Sequence, residues 1–266
     1  MRIWWQSFVD PAQNEPYLTC LGEYLNEIAD PETIVDVHGM GPGDRSFGRL
    51  TELRCAALAV DNALDASASG YDAFVMGHFQ DSGLYEARSA LTIPVVGLGE
   101  TSLHWAAQIG RNIGVVTIDP VFERWHLEQA DLYGLSGRVS HVVGLGLVVE
   151  DFAASFAGNT EALGRMVARF RALVEPLVDD SADVIVPAGA LPSLLLRGER
   201  GLTVGHAPVV NSIAVTLKAS EAWVRVRELT GLEPSRGPSF ALAPSGAIED
   251  FRNLLANGRP KVTRPR

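Results

Sequence analysis

Side chains able to move a proton near neutral pH are scarce in this chain. It holds 6 histidines and 2 cysteines. His78 stands in Gly77-His-Phe-Gln-Asp-Ser-Gly83, directly after the apolar run Ala73-Phe-Val-Met76. A histidine where a strand ends and a loop opens can accept or donate a proton. Gly77 permits close backbone approach, and Gly83 permits a turn at positive φ. Asp81, three residues on, is placed either to orient the imidazole or to cap the helix containing Leu84, Ala87 and Leu91. Gln6 and Ser7 follow the first apolar run; they offer donors for a carboxylate or carbonyl, or simply open a polar loop. Pro187-Ala-Gly-Ala-Leu-Pro192 has no titratable side chain. Its small residues either expose N–H groups to an oxyanion or make a tight strand-to-helix turn. His38, in Val37-His-Gly-Met-Gly-Pro-Gly43, and His206, ahead of Ala207-Pro208, are secondary candidates. His104, His126 and His141 fall inside elements and read as structural.

Several chemistries have no footing. There is no His-Glu-x-x-His or other carboxylate–histidine cluster to hold a metal. Gly97-Leu-Gly-Glu100 and Gly144-Leu-Gly-Leu-Val148 lack the third glycine of a dinucleotide fingerprint, and neither a phosphate-binding GxxxxGK[ST] loop nor a GxSxG elbow occurs. Cys20 and Cys55 lie in helical patterns, away from strand ends.

The elements that position these residues show in the apolar patterning. Short Val- and Ile-rich runs occur at Ile3–Trp5, Thr33–Val37, Ala73–Met76, Pro94–Gly97, Ile113–Thr117, Arg138–Val143, Val184–Val186 and Ala207–Val210. Each has the length of a strand buried on both faces, as in a parallel sheet. Between them, Tyr17–Ile28, Leu50–Ala68, Leu103–Ile109, Phe122–Tyr133, Glu161–Val178, Ser212–Leu229 and Ala247–Leu255 read as helices, with Thr160 as the N-cap of the fifth. The alternation predicts an α/β fold with mostly parallel sheets flanked by helices. The strands ending near His78 and Pro187 each lead through a glycine-containing loop into a helix. Two similar lobes with a cleft between them are therefore expected. The first comprises 1–101 plus 212–266 and the second 102–211, and ligands bind beyond the carboxyl ends of the strands.

The 266 residues are 47% hydrophobic and 20% charged, which is globular rather than disordered. A net charge of −10 disfavours nucleic acid and anionic membrane surfaces as partners. No run approaches the roughly 18 apolar residues of a membrane span. Two cysteines cannot make a disulfide framework, and a cytoplasmic protein is expected. The basic tail Gly258–Arg266 reads as a frayed terminus rather than a nucleic-acid-binding arm.

Asp72-Ala-Phe-Val-Met-Gly-His-Phe-Gln-Asp-Ser-Gly-Leu84, Ile93-Pro-Val-Val-Gly-Leu-Gly-Glu100 and Ile113-Gly-Val-Val-Thr117 resemble the aspartate/glutamate/hydantoin racemase superfamily, its hydantoin racemase branch in particular. Asp183-Val-Ile-Val-Pro-Ala-Gly189 and Ala207-Pro-Val-Val210 resemble its second half. The resemblance spans most of the chain. It implies lobes related by a pseudo-twofold axis, a cofactor-independent site between them, and assembly into a homo-oligomer. Typical members place one cysteine from each lobe on opposite faces of an acidic carbon. Here His78 matches the first cysteine position, and Gly189 or a neighbour matches the second. The expected protein is a metal-independent enzyme acting on a small carbonyl or carboxylate compound, such as a cyclic amide. His78 is the expected acid/base, with Asp81 beside it. Gln6, Ser7, Thr117 and the backbone amides around Ala188, Gly189 and Ala190 hold the substrate's oxygens, Phe79 is a further substrate-binding residue, and His38 or His206 is the reserve for a second base. A single imidazole also suits a decarboxylase or a ring-opening hydrolase, and a binding protein without catalysis is the remaining alternative.

Overall fold

Two parallel sheets carry the architecture of the computed structural model, which describes residues 1–43 and 46–257; the basic tail lies outside the described residues. The first sheet contains β1 (Arg2–Gln6), β2 (Ile34–His38), β3 (Ala73–Met76) and β4 (Val95–Gly97), in the order β2-β1-β3-β4. The second contains β5 (Ile113–Thr117), β6 (Val139–Gly144) and β7 (Val184–Ala188), in the order β6-β5-β7. Each sheet has its first strand in the middle, its second on one side and its third on the other. The lobes therefore share one winding. A two-residue antiparallel hairpin, β8 (Thr203–Val204) with β9 (Ala207–Pro208), stands apart. The apolar run predicts a parallel strand over Ala207–Val210, and the structure differs. Pro208 cannot donate to a ladder, and only one parallel bridge, between Ile185 and Val209, joins this segment to β7.

The helices are α1 (Pro11–Ile28), α2 (Arg49–Ala68), α3 (Leu84–Ala90), α4 (Leu98–Ile109), α5 (Glu123–Leu132), α6 (Ala153–Phe156), α7 (Thr160–Asp179), α8 (Ala190–Leu195), α9 (Ser212–Thr230) and α10 (Ser245–Asn257). α1 begins a turn and a half before the expected Tyr17. The Asp10 side chain accepts from the Ala12 N–H at 3.0 Å, and Pro11 suits the first turn. Pro16 and the non-helical Asn14 mark the kink that follows. α7 is capped by Asn159, whose side chain accepts from the Ala162 N–H, rather than by Thr160. α4 begins at Leu98, so the glycine-rich Gly97-Leu-Gly-Glu100 opens a helix rather than forming a loop.

One apolar cluster runs beneath both sheets, joining Ile3, Trp5 and Val75 to Val115, Val186 and Leu217. α4 and α9 pack on one another within it, so the lobes share a core. A second cluster fills the space between the first sheet and α2 and α3. α10 joins that side through Phe251 and through Arg252, which pairs with Asp61 and Asp65 on α2.

Candidate active site

The carboxyl ends of β1, β3, β5 and β7 converge on a pocket between the lobes. Its wall is largely apolar: Phe8, Val9, Phe47, Phe79, Ile118, Phe122, Val149, Leu191 and Pro192 line it. His78 and Tyr17 are the titratable side chains among the described residues of this lining. Burial pushes the Tyr17 hydroxyl well up, so it stays protonated.

His78 reaches the pocket because β3 ends in Gly77. A Cβ at Gly77 would stand 2.3 Å from Trp5 Nε1 and 2.6 Å from the Gln6 carbonyl. The strand end is thus pressed against β1, with the Gly77 N–H donating to the Gln6 carbonyl at 2.8 Å. The imidazole stacks on Phe8, with centroids 4.3 Å apart and planes 6° apart. Its Nε2 lies 2.9 and 3.1 Å from the two oxygens of Glu52, in the first turn of α2. Ser82 Oγ donates to the same carboxylate at 2.8 Å. Burial alone would raise the Glu52 carboxyl, but His78 and the Ser82 hydrogen bond outweigh it and hold it below the usual glutamate value. The carboxylate is ionised and only accepts, so His78 Nε2 carries a proton and donates.

Glu52 was missed in the sequence because it lies 26 residues before His78, on a helix. Its one signal is position: with Cys55, Ala59, Ala63 and Ala66 it occupies the buried stripe of α2, where a carboxylate requires a partner.

Asp81 does not take the role expected of it. It sits in the left-handed region at φ 53, which aspartate tolerates. Its side chain turns to the start of α4, accepting from the Gly99 N–H at 3.1 Å and the Glu100 N–H at 2.6 Å. A carboxylate is favoured at a helix N-terminus. Tyr133, just after α5, donates to it at 2.6 Å, which ties the second lobe to the first. Burial nonetheless pushes the Asp81 carboxyl up to about 7, against these donors. Asp81 therefore caps α4 rather than α3, and Glu52 rather than Asp81 holds the imidazole.

Ser7, Phe79, Thr117, Ala188, Gly189 and Ala190 all line the pocket, as does His78. Gln6 does not. It is sealed in the core: its amide donates to the Ser7 and His38 carbonyls, and its oxygen accepts from Trp4 and Asn62. His38 stacks on Trp4 at 3.4 Å, on the far side of β1, and burial lowers its pKa. His206 is exposed at the tip of the β8–β9 hairpin. Neither faces the pocket, so neither supplies a second base. On the second lobe, Gly189 holds φ 132, and its N–H turns back to the Pro187 carbonyl at 3.1 Å. The spare donors here belong to the first turn of α8, Ala190 and Leu191, since such N–H groups have no intrahelical partner.

Thr117, at the end of β5, leads into a buried polar chain. Its Oγ1 is 3.1 Å from His126 Nε2. His126 Nδ1 is 3.0 Å from Gln129 Oε1, and Gln129 Nε2 donates to the Phe79 carbonyl at 2.5 Å. A Cβ at Gly99 would stand 2.0 Å from that carbonyl, so only glycine fits beside it.

Cys55 is buried on α2 and Cys20 is half-buried on α1; neither lines the pocket. Among the described residues, no group of three His, Cys, Asp or Glu side chains is placed to bind a metal, and no helix is long and apolar enough to cross a membrane.

A shared pocket at the strand ends of two like-wound parallel sheets, with a histidine on one wall, defines a two-lobed α/β protein with room for a small molecule between its halves. The chain belongs to the Asp/Glu/Hydantoin racemase family, whose model matches residues 8–219. It is thus an enzyme of racemase type, on the hydantoin racemase side of that family. It is 28% identical over 182 residues to a hydantoin racemase of Pseudomonas sp. (strain NS671), covering 68% of this chain and 70% of the relative. An allantoin racemase from Klebsiella pneumoniae superposes with a TM-score of 0.73 at 21% identity, covering 94% of this chain and 98% of that one. Allantoin racemase from Pseudomonas fluorescens gives 0.71 at 21% identity, covering 91% and 97%. At these identities the two structures speak to the fold.

Proposed function

We propose that the protein racemises a neutral cyclic amide of the hydantoin type, with His78 as its single acid/base and without metal or cofactor. The observation that carries this reading is an imidazole anchored by Glu52 on one wall of a pocket whose described lining holds no Lys, Arg, Asp or Glu. An aspartate or glutamate substrate would bring two carboxylates and an ammonium into that largely apolar space with no Lys, Arg, Asp or Glu among its described lining residues to pair them. A neutral ring with an apolar substituent fits the phenylalanines and leucine that line it.

The ring carbon between a carbonyl and a nitrogen is acidic because its anion is an enolate. His78 takes that proton while its Nε2 is held by Glu52. The imidazolium that forms is stabilised by the Glu52 carboxylate. The enolate oxygen is met by the Ala190 and Leu191 N–H groups at the start of α8. Gly189 offers no acid on the other face. The planar enolate therefore loses its configuration by turning over in the pocket or by taking a proton from water, and either route yields the racemate. The lobes would be 1–101 with 212–266, and 102–211, in a cytoplasmic homo-oligomer.

Incubation of one enantiomer of 5-benzylhydantoin in D₂O tests the reading. Polarimetry should show decay of rotation above the buffer rate, and proton NMR should show loss of the C5–H signal at least as fast. Unchanged rotation and an intact C5–H signal would overturn it. Ring opening would appear as the N-carbamoyl amino acid, and decarboxylation as CO₂ from an arylmalonate.

A further inference from the structure

The buried chain behind Thr117 fixes which way its hydroxyl points. The Phe79 backbone carbonyl can only accept, so the Gln129 NH₂ group is the end that faces it. The amide oxygen is then the end that faces His126, and it too can only accept; His126 Nδ1 must carry a proton. The ring is fully enclosed, edge-on to Phe79 at 5.2 Å and tilted against Phe122 at 6.2 Å. Burial lowers its pKa to about 4, with His78 adding to the effect, so the ring is neutral at physiological pH. With Nδ1 protonated, Nε2 bears a lone pair. The one proton Thr117 owns goes to it.

We propose that Thr117 is a specificity-determining residue that offers the pocket acceptor lone pairs and no proton, and so recognises an N–H of the ligand while rejecting a carboxylate or carbonyl oxygen at that position. This rests on the cyclic-amide reading above and sharpens it. It also reverses the expectation that Thr117 donates to an anionic oxygen. His126 and Gln129 are positioning residues that act through Thr117. A ring bearing N–H on both nitrogens satisfies the acceptor. A ring-opened product, which presents a carboxylate, does not, and its oxygen would face lone pairs.

Two measurements test this. Nitrogen-15 NMR of the histidine rings, with His126 assigned by difference from His126→Phe, should show the neutral Nδ1–H tautomer at pH 7; an Nε2–H tautomer or a charged ring overturns the assignment whatever the ligand. Calorimetric binding of 5-benzylhydantoin and its N1- and N3-methyl derivatives should show one methylated isomer bound roughly 10–100-fold more weakly, the cost of a buried acceptor left unpaired. Thr117→Val should erase that difference, Thr117→Ser should keep it, and thermal melts confirm that each variant folds. His126→Phe frees the hydroxyl proton and should gain measurable binding of N-carbamoylphenylalanine. If binding requires the N–H but C5 does not exchange in D₂O, the assignment stands and the racemase chemistry falls. If C5 exchanges but the methylated rings bind as tightly as the parent, or Thr117→Val keeps the discrimination, the assignment falls and the chemistry stands.

Discussion

Two strand ends face each other across the pocket, and they are equipped differently. β3 ends in Gly77-His78, with the imidazole stacked on Phe8 and held by both oxygens of Glu52. β7 ends in Ala188-Gly189 and passes directly into α8, offering N–H groups and no side chain that titrates. The sheets share one winding, with the first strand central in each. Like winding therefore does not oblige the halves to do like chemistry. On the proposed function, one end moves a proton and the other leaves room and supplies dipoles. Ways to break that contrast are to remove the first, loosen its anchor, or fill the second.

Removal should have the largest effect. On our reading, His78→Ala lowers kcat for hydantoin racemisation by roughly 10²–10⁴-fold, the usual worth of a general acid/base. His78→Cys, which installs the thiol typical of the family, should recover part of this. Near-wild-type kcat in His78→Ala, measured by polarimetry, would show that the two ends do not differ in the way we describe.

Loosening the anchor comes next. Glu52→Ala frees the ring to turn and should cost kcat roughly 10²-fold, the scale of a misplaced catalytic group. Glu52→Gln should fall between wild type and Ala, since its amide oxygen can still accept from His78 Nε2. Equal losses in both variants would mean that charge, not placement, is what Glu52 contributes.

Filling the β7 end should act on stability more than on chemistry. At Gly189 a new Cβ meets Pro192 Cδ at 3.3 Å, a tight contact that asks the proline ring to give slightly, and φ 132 adds strain because L-residues rarely adopt it. Gly189→Ala should destabilise the fold by about 1–3 kcal/mol, read by denaturant unfolding, with kcat within a few-fold of wild type. A loss of kcat as large as that of His78→Ala would place chemistry at this end after all.

How much of this was legible in the sequence follows from where each signal lies. The strands of the two parallel sheets were, because a strand buried on both faces must be a short Val- and Ile-rich run; the run at Ala207–Val210 misled, since it forms one side of a short hairpin instead. His78 was, because it abuts such a run and follows a glycine. The start of α4 was not: Gly97-Leu-Gly-Glu100 has the composition of a loop, and its glycines are demanded by tertiary neighbours, Asp81 and the Phe79 carbonyl, that no local pattern reveals. Gln6 and Ser7 look alike as strand-end polar residues, yet one is sealed among carbonyls and the other lines the pocket. The partner of His78 was sought three residues away when it lies on α2, because the loop geometry that turns Asp81 toward α4 is not written in spacing.

The smallest expected effect compares the two carboxylates flanking the loop after β3, whose environments push them in opposite directions. Asp81 is raised from 3.8 to about 7 by burial. Its native form holds a proton that the unfolded chain releases, so its contribution to stability is whole below about pH 3.8 and drains away as pH rises through 7. Glu52 is lowered from 4.5, since the pull of His78 and Ser82 exceeds the cost of burial. Its contribution is present above about pH 4.5 and is lost as pH falls through the native value. The gap in Tm between wild type and Asp81→Asn should therefore narrow from pH 5 to pH 8. The gap between wild type and Glu52→Gln should narrow in the other direction, from pH 6 to pH 3.5. Each kcal/mol is worth about 2–4 °C in a chain of this size, so both slopes are within reach of scanning calorimetry. Referring each wild-type curve to its own neutral variant cancels the remaining carboxylates, which on their own would tilt every curve the same way. Two gaps that close in the same direction would mean that the carboxylates share one environment, and the distinction between a buried pin at α4 and an ion pair at His78 would be wrong.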